Sequence, residues 1–188
     1  MNTSRIFIAV DASSKDTIEN IQHKIQLSAG WNNQLLKPVS KQSFHFTLIF
    51  LGEVTINTID IIKTKLSEIE FEPVKIIYTG IGGFPSSNAA RVIWLGVDAE
   101  GSRKLIGLAE KVRSKMKDIG FMPDKAFTPH MTLFRTKIGK LKITTNLLSE
   151  YDRITFGSEI IDKVHLKRSD LTSSGPVYTD IFTVNASE

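Results

Sequence analysis

The sequence predicts an α+β fold in which two lobes, each built on its own sheet, meet across a central cleft. Strand-like and helical segments are mixed along the whole of the 188 residues. The phrase His-x-Thr-Leu also occurs twice, as His45-Phe46-Thr47-Leu48 and as His130-Met131-Thr132-Leu133. The copies begin about 85 residues apart, too long a period for a solenoid repeat. We therefore expect two lobes related by a pseudo-twofold axis within one bilobal domain, 1–188.

Strands are predicted where short apolar runs, rich in β-branched residues, end at glycine, proline or polar turns. The first run is 6–10, and the second, 44–51, carries the first motif and ends at Gly52. A hairpin with a long, adaptable connection is expected around the glycine-rich segment 80–88. The strands of this hairpin are 74–78 and 91–97. The second motif lies on a further strand, and later strands are expected at 153–156, 163–167 and 178–184.

Helices are predicted where apolar residues recur at helical spacing. The first begins after the polar residues 11–14 and ends at Gly30. The others are 57–69, 101–119 and a short one at 144–150. The polar segment 31–43, which contains Pro38, is expected to be a loop.

The composition limits the classes of function. A net charge of +4 and a pI near 9.2 are a mild bias that fits a small anionic ligand better than long duplex nucleic acid. The absence of cysteine excludes disulfides, thiolate metal sites and cysteine nucleophiles. The first apolar run is too short for a signal core or a membrane span. A soluble cytoplasmic protein without membrane association is therefore expected.

The repeated motif has the chemistry of a proton-transfer site. Because strand side chains alternate, His45 and Thr47 share one face of their strand, and His130 and Thr132 share one face of theirs. Two imidazoles in one cleft can act as acid and base, while threonine hydroxyls donate to phosphate oxygens. This arrangement suits a phosphodiester and requires no metal. The residues alone do not say which histidine is the acid. His23 and His165 are expected to be structural.

These motifs and their flanks resemble those of the two-histidine (2H) phosphoesterases, and among them the LigT-like RNA 2',3'-cyclic phosphodiesterases, formerly called 2'-5' RNA ligases. The resemblance covers nearly the whole chain. The matching segments are Arg5-Ile6-Phe7-Ile8-Ala9-Val10, the run from His45 to Val54, Arg91-Val92-Ile93-Trp94-Leu95-Gly96, Pro129 to Arg135, and Gly175-Pro176-Val177-Tyr178.

The resemblance implies lobes of antiparallel sheet with outer helices, and hydrolysis of a terminal 2',3'-cyclic phosphate on RNA to a 2'-phosphomonoester. It implies no metal and no cofactor, with RNA or an oligonucleotide that has such an end as the partner. A monomer is expected. His45 would be the proton donor to the leaving 3'-oxygen, and His130 the proton acceptor that activates water. Thr47, Thr132 and Arg135 would bind the phosphate. The reverse reaction would be 2'-5' RNA ligation.

Several features leave alternatives open. Strict alternation places Arg135 on the face opposite His130, so a bulge, a strand end or the length of the side chain must bring it to the phosphate, or else its role is structural. Phe84 could stack on a nucleobase or pack in the protein. Phe44 and Phe134 are larger than the residues expected at their positions, which would change the shape of the pocket.

Other functions also fit the motifs. The substrate could be another cyclic or linear phosphodiester, such as ADP-ribose 1'',2''-cyclic phosphate or a 2'-5' linked oligonucleotide. A second alternative is an RNA-end binding module without turnover, which the intact pair of histidines disfavours. A metal-dependent hydrolase is disfavoured because the sequence shows no cysteine and no compact His and carboxylate cluster with ligand spacing.

Overall fold

The computed structural model describes residues 3–123, 125–137, 139–152, 154–173 and 175–187. It contains two antiparallel sheets and four α-helices. The strands are β1 Thr3–Asp11, β2 Leu36–Pro38, β3 His45–Thr55, β4 Val74–Phe84, β5 Val92–Val97, β6 Met131–Thr136, β7 Thr155–Ile161, β8 Lys163–Thr172 and β9 Gly175–Asn185. The helices are α1 Lys15–Ser28, α2 Ile56–Ser67, α3 Ala99–Lys117 and α4 Thr145–Asp152.

The first sheet has the strand order β3-β1-β8-β9 and the second β2-β6-β5-β4-β7. The predicted α+β fold with two lobes is therefore confirmed. The expected duplication is visible in the order of elements: apart from β2 and β4, β1-α1-β3-α2 is followed by β5-α3-β6-α4. In each unit the two strands pair with one another, β1 with β3 and β5 with β6. Each motif thus belongs to a different sheet.

The two halves of the sequence also exchange strands. The short strand β2 comes from the first half and pairs with β6 of the second half. Conversely, β8 of the second half pairs with β1 of the first half, and β9 pairs with β8. Each sheet therefore contains strands from both ends of the chain, which ties the lobes together.

The apolar patterns that predicted the elements also form the core. All five residues of the run 6–10 are buried, so β1 is covered on both faces. In α1 the buried stripe includes Ile18, Ile21 and Ile25. In α3 it includes Leu105, Leu108, Val112 and Met116. The stripes predicted from helical spacing are therefore the faces that pack on the sheets.

Several boundaries differ from the predictions because strand pairing extends or shifts the elements. β7 continues to Ile161, β8 continues to Thr172 and β9 begins at Gly175. The predicted loop 31–43 contains β2, an edge strand in which Pro38 needs no ladder donor. Strand β3 does not end at Gly52 but passes it, at a φ of 76°, and continues to Thr55. Strand β4 runs through most of the glycine-rich segment to Phe84, so the connection to β5 is shorter than expected. Arg153, predicted to begin a strand, lies outside the described residues.

A buried carboxylate anchors α1 to the second sheet. Glu159 of β7 accepts hydrogen bonds from the backbone N–H groups of Ser13 and Ser14 and from the Ser13 hydroxyl, at 2.7 to 3.1 Å. Its other oxygen accepts a hydrogen bond from the Tyr78 hydroxyl at 2.7 Å. Ser14, at the N-cap of α1, makes no side-chain capping bond, so Glu159 supplies the cap from another strand.

Within the described part of the chain, no helix is both long enough and apolar enough to cross a membrane.

Candidate active site

One cleft of about 970 Å³ lies between the two motif strands. Its lining includes all five residues that the sequence predicted for the site, His45, Thr47, His130, Thr132 and Arg135. The fold therefore brings together side chains that are far apart in the sequence. The cleft is walled by both sheets, with β3 and β6 contributing the two motifs.

A bulge in each motif strand shapes this cleft. The pairing of β3 with β1 skips Leu48 and, further along, Leu51, and the pairing of β6 with β5 skips Leu133. A bulge adds one residue to a strand and reverses the alternation beyond it. Phe50 and Arg135, each two residues past its bulge, consequently line the cleft. A bulge, a strand end or the length of the side chain could have brought Arg135 to the cleft, and the structure shows a bulge before it.

Each motif imidazole is held by a backbone carbonyl two residues before it. Nδ1 of His45 lies 2.8 Å from the carbonyl oxygen of Ser43, and Nδ1 of His130 lies 2.7 Å from that of Thr128. A carbonyl oxygen can only accept, so Nδ1 carries the proton in both rings. Nε2 is then the nitrogen that can exchange a proton with a ligand, in both histidines.

Aromatic side chains pack around both imidazoles. The ring of His45 lies 5.2 Å from that of Phe7 and 5.3 Å, edge-on, from that of Tyr178. The ring of His130 meets that of Phe84 at 4.8 Å and 90°. Phe84 also contacts Trp94, with ring centroids 5.6 Å apart, so this phenylalanine has the packing contacts that the sequence left as one alternative.

This burial lowers the pKa of both histidines, because an apolar environment disfavours the charged imidazolium. The pKa of His45 falls from 6.5 to about 4, mainly through burial, although the nearby Asp11 carboxylate opposes the change. The pKa of His130 is also lowered, again mainly through burial. The positive charge of Arg135 lowers the pKa of both rings. One guanidinium therefore lies close enough to influence both histidines.

A family model described as LigT like Phosphoesterase matches the chain twice, over residues 8–94 and 95–178. The chain belongs to this family. The two matches follow one another along the chain, as the duplicated order of elements does.

Several relatives and solved structures resemble the chain over most of its length. An RNA 2',3'-cyclic phosphodiesterase of Archaeoglobus fulgidus is 36% identical over 179 residues, covering 94% of this chain and 97% of that protein. One of Aquifex aeolicus is 36% identical over 186 residues, covering 95% of each. The crystal structure of Escherichia coli LigT complexed with 3'-AMP superposes with a TM-score of 0.81 at 24% identity, covering 100% of both chains. That of TT0787 of Thermus thermophilus gives 0.75 at 27% identity, covering 96% of this chain and 97% of that chain.

In this LigT-like phosphoesterase, a charged cluster lies beside His45 on the first sheet. Lys167 is only 5% exposed, and its ammonium donates hydrogen bonds to the carboxylates of Asp11 and Asp180. Asp11, Asp180 and His165 have ligand atoms within 4.8 Å of one another, a spacing that a metal ion could use. The Lys167 ammonium already supplies positive charge to both carboxylates. His165 also bonds Thr183 through Nδ1 at 3.0 Å, in keeping with its expected structural role.

Among the cleft residues that sequence reasoning missed is Phe50. Its side chain is 73% exposed and lines the cleft in this LigT-like phosphoesterase. The signal was available, because Phe50 follows His45 at the same distance at which Arg135 follows His130. His23, expected to be structural, also lines the cleft from α1.

Phe44 and Phe134 were expected to change the shape of the pocket, but neither is among the described residues that line it. Phe44 is 1% exposed and Phe134 is fully buried. Both side chains belong to the hydrophobic core and neither lines the cleft. Their size therefore affects the packing behind the motifs.

Proposed function

We propose that this protein hydrolyses the 2',3'-cyclic phosphodiester at an RNA end to a 2'-phosphomonoester, by acid and base catalysis between His45 and His130. The observation that carries this proposal is one cleft with two imidazoles, each tethered at Nδ1, beside two threonine hydroxyls and one arginine. Relatives that cover nearly the whole chain bear this activity in their names. All the groups needed come from one chain, so we propose a monomer that requires neither metal nor cofactor.

The proposed reaction is an in-line displacement at phosphorus. Water attacks from the side of His130, whose Nε2 accepts its proton as the new P–O bond forms. The bond from phosphorus to the 3'-oxygen breaks, and His45 donates its Nε2 proton to that oxygen. The histidines exchange their protons with solvent afterwards. Thr47, Thr132 and Arg135 hold the non-bridging oxygens, and the arginine fork suits their developing charge.

Burial of His45 fits the donor role once substrate is bound. A pKa of about 4 leaves the ring neutral near pH 7. An anionic phosphodiester beside the ring favours the imidazolium and raises that pKa. The same burial makes the imidazolium a stronger acid than a histidine in water. Substrate binding therefore shifts the donor toward its charged form at the point where its proton is needed.

Phe50 orients the substrate within this proposal. Its ring is exposed in the cleft and lies 5.9 Å from that of Phe7, which in turn contacts His45. An exposed aromatic ring is a platform on which a nucleobase can stack. A base held there places the ribose, and with it the leaving 3'-oxygen, on the His45 side of the cleft. This supports His45 as donor and His130 as acceptor.

The same groups would also catalyse 2'-5' RNA ligation with their roles unchanged, because His130 would accept the proton of the nucleophile and His45 would protonate the leaving 3'-oxygen. A 5'-hydroxyl in place of water would attack the cyclic phosphate and form a 2'-5' bond. Water is far more concentrated than any RNA end, so hydrolysis is the direction that we propose for the cell.

The experiment is a single-turnover assay on an oligonucleotide that ends in a 2',3'-cyclic phosphate, in excess EDTA. The expected product is the 2'-phosphomonoester, distinguished from the 3' isomer by ³¹P NMR. ADP-ribose 1'',2''-cyclic phosphate and a 2'-5' linked dinucleotide, tested in parallel, separate the alternative substrates. No phosphomonoester from the RNA end would reject the proposal, and tight binding without product would favour the binding module.

A further inference from the structure

Gln22 connects two segments of backbone from inside the protein. It lies on α1 and is 4% exposed. Its Nε2 donates one hydrogen bond to the carbonyl of Leu133 at 2.7 Å and another to the carbonyl of Val39 at 3.0 Å. Leu133 is the bulged residue of the second motif. Val39 belongs to the segment that leads through the turn Lys41–Ser43 into His45.

Arg113 makes the corresponding connection from α3. Its Nε donates to the carbonyl of Leu48 at 3.0 Å, and its Nη1 donates to the carbonyl of Lys125 at 2.7 Å. The guanidinium also lies over the ring of Phe127, 5.8 Å from its centroid. Leu48 is the bulged residue of the first motif. Lys125 belongs to the segment that leads into His130.

The two connections are reciprocal. Each side chain joins the bulge of one motif to the segment that approaches the histidine of the other motif. The approach segments end at Ser43 and Thr128, the residues whose carbonyls hold the two imidazoles at Nδ1. A displacement of either bulge is therefore transmitted to the tether of the opposite ring.

The need of a bulge carbonyl for a donor explains only one of the two hydrogen bonds that each side chain makes. A bulge disrupts the ladder locally, and a buried carbonyl without a donor costs about 1–3 kcal/mol, so some donor at Leu48 and Leu133 is expected. In fact Leu133 already accepts a bond from the backbone N–H of Val39 at 2.8 Å. The second bond of each side chain reaches a different segment. Its effect is to fix the distance between the two motifs.

We infer that Gln22 and Arg113 are a matched pair of positioning residues that set the separation and orientation of the two imidazoles. This inference rests on the proposed function, because it concerns how both rings reach one phosphorus atom. A misplacement of about 1 Å at a reacting group can cost about a hundredfold in rate. Arg113 is not among the described residues that line the cleft. Gln22 is, but it is only 4% exposed and its Nε2 is engaged by the two carbonyls, so the loss should appear in kcat more than in KM.

The variants Gln22→Met and Arg113→Met remove the donors while keeping similar side-chain length. Each is expected to lower kcat at least about tenfold with KM changed less than about threefold, at a temperature well below its melting point. Arg113→Lys keeps a donor and should recover part of kcat. Because both residues serve one geometry, the double variant should lose less than the product of the single losses.

The control variant is Arg103→Met, on an exposed position of the same helix α3. It removes an equal charge and side-chain length without reaching a motif strand, and it should keep the wild-type kcat. Gln34→Met, at an exposed loop position, is the matching control for Gln22.

A second measurement does not depend on turnover. Inorganic phosphate is added to the protein while the NMR signals of the two motif imidazoles are followed. In the wild type one phosphate should shift both signals, and in Gln22→Met or Arg113→Met it should shift only one strongly. Wild-type kcat in both variants, or two shifted signals in both, would overturn the inference. A wild type that binds phosphate at both rings but hydrolyses no cyclic phosphate would reject the proposed function instead.

Discussion

Leu48 and Leu133 hold equivalent places in the two halves of the molecule. Each is the bulged residue of its motif strand, and each carbonyl accepts a hydrogen bond from a helix of the other half. The residue two positions later turns into the cleft in both cases, but one is Phe50 and the other Arg135. A symmetric scaffold thus presents an aromatic ring at one of these two equivalent positions and a cation at the other.

Removal of either motif histidine should abolish the proposed chemistry. His45→Ala and His130→Ala are each expected to lower the rate at least about a hundredfold, the lower end for a positioned acid or base. Single-turnover hydrolysis of a cyclic phosphate end measures the effect, and circular dichroism checks that both variants fold. Near-normal turnover by either variant would remove that histidine from the mechanism.

Arg135→Met should weaken phosphate binding and change both imidazoles together. A charge-assisted hydrogen bond contributes about 1.5–3 kcal/mol, so the affinity for inorganic phosphate should fall at least about tenfold. Because the arginine charge lowers the pKa of both histidines, its removal should raise both values. NMR titration of the empty cleft measures them, and an unchanged pKa at both rings would contradict the placement of Arg135.

Phe50→Ala should raise KM for nucleoside 2',3'-cyclic phosphates, because stacking on an aromatic ring contributes about 1–3 kcal/mol per base. The comparison substrate is 1-O-methylribose 2,3-cyclic phosphate, which has no base and should be unaffected. Phe50→Trp keeps an aromatic platform and serves as the matched control. An equal loss on both substrates would mean that Phe50 acts on the cleft itself and not on the base.

Stability should fall as the pH falls through the range in which His45 titrates. The folded protein lowers the pKa of His45 from 6.5 to about 4, so between these values the unfolded chain binds more protons. The part of the free energy of unfolding that depends on neutral His45 is therefore fully present above about pH 6.5. At most about 3 kcal/mol of it is lost on acidification to pH 4. His45→Gln should have a flatter stability profile in urea titrations over this range. Parallel profiles for the two proteins would refute the assignment.

Glu159→Ala should destabilise the whole protein in one step. It leaves two backbone N–H groups and the Tyr78 hydroxyl without their acceptor, at a cost of about 2–4 kcal/mol. Because strands cross between the lobes, we expect 1–188 to unfold as one domain, in the variant as in the wild type. Thermal unfolding followed by two optical probes measures both effects, with the exposed Glu150→Ala as control. Two separate transitions would contradict the single domain.

The sequence by itself determined most of the elements and the members of the proposed site. Apolar periodicity is a local property, and it located α1, α2 and α3 and the beginnings of β3, β4 and β5 to within a few residues. The repeated motif indicated both histidines and both threonines, because two equal phrases are hard to explain by core packing alone. The matching offset of Phe50 and Arg135 was also present in the sequence.

Only the tertiary structure decided how these parts fit together. Strand β2, the extension of β4 and the exchange of strands between lobes depend on partners distant in the chain, which local patterns do not specify. The bulges at Leu48 and Leu133 reverse the alternation that sequence reasoning assumed. The hydrogen bonds of Gln22 and Arg113 join segments that only folding brings together. A sequence specifies which groups exist, whereas distances between groups on different strands arise from packing.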